Sequence, residues 1–207
     1  MTRRVVVATA NPDKAREMRA VLAEAGLAIE LVDRPPDVPE VEETGATLEE
    51  NSRLKADALR DATGLPAIAD DTGLEVDALD GAPGVLSARY AGPRASYGEN
   101  VRKLLAELAS RPDATRSARF RTVVVLAQVD GSEIVASGTV EGEIIDHTRG
   151  DQGFGYDPVF VPAAAGGETF AQMEPARKHA LSHRGQALRT LAVRMREAGW
   201  PTEARGE

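Results

Sequence analysis

Four short segments carry the side chains from which chemistry could be built. The first, Thr9-Ala10-Asn11-Pro12-Asp13-Lys14, reads as a strand-to-helix junction. Free backbone N–H groups and the positive end of a helix favour an anion at such a junction. Thr9 and Asn11 add side-chain donors, and Lys14 adds a full charge one turn into the helix. Nothing in the chain matches the phosphate-loop pattern G-x-x-x-x-G-K-[ST], so Asn11 as a plain helix cap is the competing reading. The second group is acidic: Glu42-Glu43 ahead of a helix and Asp70-Asp71 at a strand end. A hard divalent cation such as Mg²⁺ takes oxygen ligands, usually one or two carboxylates completed by water and substrate phosphate. Adjacent aspartates on a strand point to opposite faces and serve different partners. A solvated acidic turn is the alternative meaning of the same residues. Asn51 and Lys55, four apart on a helix, share a face.

The third segment is Gly153-Phe154-Gly155-Tyr156-Asp157-Pro158. Glycines on both sides leave the Phe154 ring open to stack on a base, worth roughly 1–3 kcal/mol. Pro158 holds Asp157 extended and aims its carboxylate. A tight turn around a core phenylalanine fits the same residues, and the dinucleotide pattern G-x-G-x-x-G is not completed. The fourth is Lys178 with Ser182-His183-Arg184 at the start of the last helix, cationic groups suited to an anion or a keto oxygen. His179 and His183 are four apart, as zinc ligands can be, but no H-E-x-x-H pattern or nearby third ligand accompanies them. His147 reads as a surface residue.

The elements that position these side chains follow from period and punctuation. Arg3–Thr9 is a buried strand with three consecutive valines, and the helix behind it, capped by Asn11 with Pro12 at its first position, runs to Gly26. Ala28–Val32 is a second strand, and Pro35, Pro36 and Pro39 force an extended acidic connection. Thr47 and Glu50 form a capping box opening a helix to about Ala62. Ala67–Asp71 and Leu74–Leu79 read as two short strands around Asp70-Asp71-Thr72-Gly73, then a Gly81–Gly84 loop and a helix near Ser96–Ser110. Arg119–Val129 and Glu133–Val140 flank Asp130-Gly131 as a hairpin, with another strand at Glu143–Asp146. Loops dominate Thr148 to Arg177, an amphipathic helix covers Arg184–Ala198, and Pro201–Glu207 frays. Strands alternating with helices and then a long hairpin predict an α/β protein with a mixed sheet, in a single domain over residues 1–200.

Composition narrows the function classes. The 207 residues include no cysteine, which removes disulfides, a thiolate nucleophile and zinc–thiolate sites. Lys+Arg 25 against Asp+Glu 33 gives a net charge of −8, which argues against nucleic acid as a partner, since that binding needs a dense basic footprint. A small phosphorylated ligand stays compatible, because a pocket can be locally positive in an acidic chain. The apolar runs Val5–Ala10 and Val123–Ala127 are far too short to cross a bilayer, so no membrane partner is expected. The run behind Met1–Arg4 is cut off before it resembles a signal peptide, and the expectation is a cytoplasmic protein.

Taken together, the segments resemble the inosine triphosphate (dITP/XTP) pyrophosphatase family. The matching stretches are Ala8–Lys14, Glu42–Gly45 with Glu50-Asn51 and Lys55-Ala56, and Ala69–Leu74. Gly81–Gly84 with Ser87–Tyr90, Gly153–Pro158, Thr169–Ala171 with Lys178, and Ser182–Arg184 complete the series from about Val5 to Leu191. The resemblance implies an elongated α/β fold with a bent mixed β-sheet flanked by helices, two lobes with an active-site cleft between them, and a homodimer. It also implies Mg²⁺-dependent hydrolysis of non-standard purine nucleoside triphosphates (ITP, dITP, XTP) to the monophosphate and pyrophosphate. Carried over by position, Thr9, Ala10, Asn11, Pro12, Asp13, Lys14 and Lys55 hold the triphosphate. Asp71 is the proton acceptor and a metal ligand, with Glu43 and Asp70 supporting the metal. Thr72, Phe154, Gly155, Tyr156, Asp157, Lys178, His183 and Arg184 bind the nucleotide.

Three positions depart from the family pattern: Asp13 for glycine, Thr72 for serine and Gln172 for glutamate. Asp13 is expected to set a negative charge near the phosphates. Two rival classes are a regulatory nucleotide-binding module without turnover, which a pyrophosphate-release assay separates, and a nucleic-acid-binding protein, which a salt-dependent titration separates.

Overall fold

Seven strands and five α-helices are laid out among the described residues. β1 (Arg3–Val7), α1 (Pro12–Ala23), β2 (Ile29–Asp33), α2 (Leu48–Thr63), β3 (Ala67–Val76) and β4 (Pro83–Gly84) come first. They are followed by α3 (Tyr97–Ala109), β5 (Ser117–Ala127), β6 (Glu133–Ile144), β7 (Phe160–Pro162), α4 (Pro175–Leu181) and α5 (His183–Glu197). The structure is a computed structural model and describes residues 2–203. The strands form one mixed sheet in the order β2-β1-β3-β5-β6-β7, with β4 paired to β3 off that path. β1 runs parallel to β2 and β3, whereas β4 on β3 and β7 on β6 are antiparallel. The α/β class with a mixed sheet is borne out.

The chain divides into two compact units. The first comprises 1–71, 122–138 and 184–207, and the second comprises 72–121 and 139–183. In the first unit, strand alternation sends Val5 and Val7 to one face, against Met18 and Leu22 of α1 and Leu188 and Leu191 of α5. Val6 and Ala8 face the other way, against Ala56 and Leu59 of α2. The second unit packs Phe120, Tyr156, Phe160 and Phe170 with Leu104 and Leu108 of α3.

Several boundaries differ from the sequence expectation, each for a physical reason. The two short strands around Asp70–Gly73 are one continuous strand, β3, and a single 3₁₀ turn takes Asp77–Leu79. The turn-forming composition of Asp-Asp-Thr-Gly is overridden because the aspartates find cationic partners, described below. Asp70 and Asp71 therefore lie inside a strand and not at its end. The expected strands at 133–140 and 143–146 merge into β6, with Gly142 beside β7 at Pro162. Within the loop-dominated stretch, Pro175 starts α4, a helix that short length and absent side-chain capping hid. The expected frayed end is tied down at its start: Pro201 accepts the Ala28 N–H at 2.8 Å, and the Glu203 N–H reaches the Gly26 carbonyl at 3.0 Å. Residues 204–207 lie outside the described residues.

The helix that matters most to the site is α2, and its start is over-determined. Thr47 accepts the Glu50 N–H at 3.1 Å, while Glu50 accepts the Thr47 and Ala46 N–H groups at 3.1 and 2.7 Å. Gly64 ends the helix at φ +66°, a conformation that costs glycine little. Farther along, the Ser52 hydroxyl donates to the Val123 carbonyl of β5 at 2.9 Å and fixes the helix against the sheet. Thr47→Ala removes the cap and should lower stability by about 1 kcal/mol, with Thr47→Ser close to unchanged, in urea unfolding. An unchanged midpoint for the alanine variant would show that tertiary contacts alone hold this helix start.

Candidate active site

The first unit gathers charge around the middle of β3. Period two places Asp70 on the face of Ile68, toward α1 and α5, and Asp71 on the face of Ala69, toward α2. Arg184, the second residue of α5, donates from Nε to Asp70 Oδ2 at 3.0 Å and from a terminal nitrogen to Glu17 Oε2 at 2.5 Å. Lys14 Nζ lies 3.5 Å from Asp70 Oδ2 and 4.0 Å from Asp71 Oδ1. Lys55 Nζ lies 2.7 Å from Glu43 Oε1 and 3.3 Å from Asp71 Oδ1. Asn51, one helical turn before Lys55, donates from Nδ2 to Asp71 Oδ2 at 3.3 Å and accepts the Gly45 N–H at 2.8 Å. Gly45 is required there: a Cβ would fall 2.7 Å from Asn51 Oδ1.

Electrostatics separates the two aspartates. Burial works against the charge of both. For Asp70 the attraction of Lys14, Arg184 and Lys55 prevails and holds its pKa well below the usual carboxylate value. For Asp71 burial prevails over Lys14 and Lys55, and its pKa is raised. Burial likewise lowers Lys14 despite Asp70, while at Lys55 the pull of Asp71, Glu43 and Asp70 exceeds the burial cost and raises it. Asp71 is therefore the better proton acceptor of the pair, since environments that push two carboxyl groups apart assign them different roles.

The segment Thr9–Lys14 is a cap first. Asn11 Oδ1 accepts the Asp13 and Lys14 N–H groups at 2.9 and 3.2 Å, and Thr9 Oγ1 accepts the Asn11 N–H at 3.2 Å. The expectation of open N–H groups is thereby corrected for those three, because the cap already fills them. Ala10 and Pro12 complete the turn into α1. Asp13 is engaged by Arg16 at 2.6 Å, one turn along the helix. Its charge is thus partly compensated within the helix.

In the second unit, Asp157 Oδ2 accepts the Phe154 N–H at 2.8 Å and the Lys178 ammonium at 2.7 Å. Tyr156 is buried and donates its hydroxyl to the Ser87 carbonyl at 3.0 Å. His183 is buried and stacks on Phe120 with centroids 4.5 Å apart. Gly155 takes φ +65°, and half-buried Thr72 lies in β3 directly after Asp71. Lys178, His183 and Arg184 were expected to converge on one helix start. They instead belong to different sets: Lys178 sits in α4 with Asp157, and Arg184 sits in α5 with Asp70 and Glu17. His147 is exposed and bonded to Asp146, as its surface reading requires. Gln172 accepts the Thr169 N–H at 3.0 Å, so this departure preserves a capping box.

One site residue escaped the sequence reading. Glu17 lies on the buried face of α1 with Met18, Val21 and Leu22, and a charge on that stripe needs a buried cation, which Arg184 supplies. Asn51 was noted for sharing a face with Lys55, and both indeed meet Asp71.

Carboxylate oxygens of Glu43, Asp70 and Asp71 are the donor type that Mg²⁺ takes. Among the described residues, no three acidic or histidine side chains close into a ready-made metal cluster. Lys14 and Lys55 lie among these carboxylates. One or two carboxylates with water and phosphate satisfy this ion, so the residues fit it.

Comparison with known proteins places this arrangement. The model of the Ham1 family matches residues 5–194. The chain belongs to the Ham1 family. It is 47% identical to a dITP/XTP pyrophosphatase of Streptomyces avermitilis over 196 residues, covering 94% of this chain and 98% of that protein. It is 48% identical to one of Vibrio parahaemolyticus, covering 93% and 96% of the two chains. A solved HAM1 protein from Coxiella burnetii superposes with a TM-score of 0.84 at 42% identity, over 94% of this chain and 99% of that one. The family read from seven ordered motifs is borne out, and no helix among the described residues is long and apolar enough to cross a membrane.

Arg184→Met in this Ham1 chain should cost about 3–5 kcal/mol in urea unfolding, because it removes the buried cation shared by the carboxylates of Glu17 and Asp70. A loss under ~1 kcal/mol would show that these carboxylates do not depend on Arg184.

Proposed function

We propose that this chain hydrolyses ITP, dITP and XTP to the monophosphate and pyrophosphate, removing non-standard purines from the nucleotide pool. The observation that carries the reading is Asp71 set between Lys14 and Lys55, in a Ham1 chain 46–48% identical to curated dITP/XTP pyrophosphatases. Water attacks the α-phosphorus in line with departing pyrophosphate, and the raised pKa of Asp71 suits it to accept the proton. Lys14 and Lys55, held by carboxylates in the free protein, exchange part of those contacts for phosphate oxygens and neutralise charge on the leaving group. Asp71, with Asp70 and Glu43, would hold Mg²⁺, which would supply Lewis acidity and charge neutralisation. Thr9–Lys14 and Lys55 receive the triphosphate, and Thr72, Phe154–Asp157, Lys178, His183 and Arg184 bind the nucleotide.

Base choice follows from donor chemistry. Hypoxanthine and xanthine present a 6-keto acceptor where adenine presents an amino donor, and an ammonium such as Lys178 has donors only. Adenine therefore leaves the site unpaired and is penalised. The same family likeness supports a cytoplasmic homodimer in which residues 1–200 work as one catalytic domain, and the net charge of −8 supports the exclusion of nucleic acid.

With Mg²⁺, the protein should release pyrophosphate and not orthophosphate, from ITP and XTP far faster than from ATP. Equal rates on ATP and ITP would remove the specificity, and orthophosphate as first product would move the cleaved bond. Asp71→Asn keeps shape but loses the base and a metal charge, and should lower kcat at least ~10²-fold. Retention of more than about a tenth of the rate would transfer the base role to Asp70.

A further inference from the structure

Away from the charged centre, the first unit carries a cavity of about 410 Å³. It is lined by Arg3 and Arg4, which open β1, by Leu65 and Pro66, which lead into β3, and by Val129 and Asp130, which follow β5. Thr9–Lys14 follow the opposite end of β1, roughly 13 Å of strand rise away. Leu65, Pro66 and Val129 give the cavity an apolar wall, and Val129 is 61% exposed. Its cations are weakly engaged. No ion pair among the described residues involves Arg3, whose guanidinium lies 5.0 Å from the centroid of the Trp200 ring. Arg4 Nε stands 3.8 Å from Glu30 Oε2, too far for a hydrogen bond, and both side chains are more than half exposed. The one carboxylate of the lining is already occupied, since Asp130 Oδ1 accepts the Ser132 N–H at 2.9 Å and its hydroxyl at 2.6 Å.

We infer that this cavity is a binding site for a small organic anion, an apolar ring carrying one carboxylate or phosphate group. A guanidinium presents a planar fork of donors that two oxygens of such a group fill together, and two forks stand side by side here. Arg3 is also held in advance. The Trp200 ring beneath it is fixed by its own N–H bond to Gln128 Oε1 at 3.2 Å, and Gln128 is a further residue of the lining. A cation already in place loses less freedom when an anion arrives. The volume suits a small molecule, and small-molecule sites combine apolar walls with a few polar anchors. A bare anion would leave the wall of Leu65, Pro66 and Val129 wet, and a neutral ring would leave the forks without oxygens. The inference shares no residue with the hydrolysis reading and does not depend on it.

The test titrates phenyl phosphate and, separately, benzoate into the full chain without Mg²⁺. Binding is read by calorimetry and by the NMR resonance of the Trp200 indole N–H, the only such group in the sequence. At least one probe should bind saturably and move that resonance, and which of the two does so tells a phosphate ester from a carboxylate. Arg3→Gln combined with Arg4→Gln should weaken binding by ~10-fold or more, because charge-assisted hydrogen bonds are lost. Should the double variant not fold, Arg4→Gln alone changes an exposed side chain and should weaken binding by ~3-fold or more. Val129→Asp, which wets the wall and adds a like charge, should weaken it by ~10-fold or more. Inorganic phosphate should bind at least ~10-fold less tightly than phenyl phosphate, having no ring to bury. Absence of saturable binding by both probes would overturn the inference, as would equal affinity for inorganic phosphate. Binding that Lys14→Gln abolishes and the arginine variants retain would move the anion to the candidate active site and overturn it too. Arginine variants that keep the probe but turn a dimer into monomers in sedimentation would give this face to a second copy of the chain instead.

Discussion

Two adjacent carboxylates inside a buried strand are the constraint around which the first unit is arranged. Asp70 and Asp71 are 1% and 5% exposed, and an unpaired ion so deep would neutralise itself or unfold its surroundings. Three helices each contribute one cation to prevent this: Lys14 from α1, Lys55 from α2 and Arg184 from α5. The helices are thus fixed twice, by apolar faces that any α/β sheet would bury and by charges that only this strand calls for. Glu17 and Glu43 then balance the cations in turn, leaving four carboxylates against three positive groups. Such a set is poised for exchange. On the function proposed above, a phosphate chain that draws the lysines away would leave the carboxylates to a divalent cation.

How much of this was legible depended on whether the signal was local. Helix starts were, because caps are written in neighbouring residues: Asn11 for α1, and the Thr47–Glu50 box for α2. The hairpin was, through Asp130-Gly131 between apolar runs. The interior of β3 was not. By composition Asp-Asp-Thr-Gly is a turn, and only cations brought from elsewhere in the sequence make it a strand. α4 failed for a different reason, since seven residues beginning at Pro175 carry too little periodicity to register.

Among the candidate site residues, motif order found the participants but not their partners. Lys178, His183 and Arg184 are near neighbours in sequence, which suggested one cationic cluster. The chain instead sends Lys178 to Asp157 and Arg184 to Asp70, each to a carboxylate within its own unit. Phe154 was read as a stacking face, and the structure adds what holds it: a carboxylate, an ammonium and a glycine that makes room for the carboxylate. Glu17 went unread because a single acidic residue on an apolar stripe has no local explanation. Its reason lies at Arg184, far along the chain.

The distribution of aromatic side chains between the units has a spectroscopic consequence. The only tryptophan, Trp200, belongs to the first unit, where it is buried and donates its indole N–H to Gln128 at 3.2 Å. All three tyrosines, Tyr90, Tyr97 and Tyr156, belong to the second. Excitation at the red edge of the absorption band therefore reports on one unit, and tyrosine absorbance on the other, with no label introduced. Whether the chain melts as one cooperative body or in two steps is written into its native chromophores.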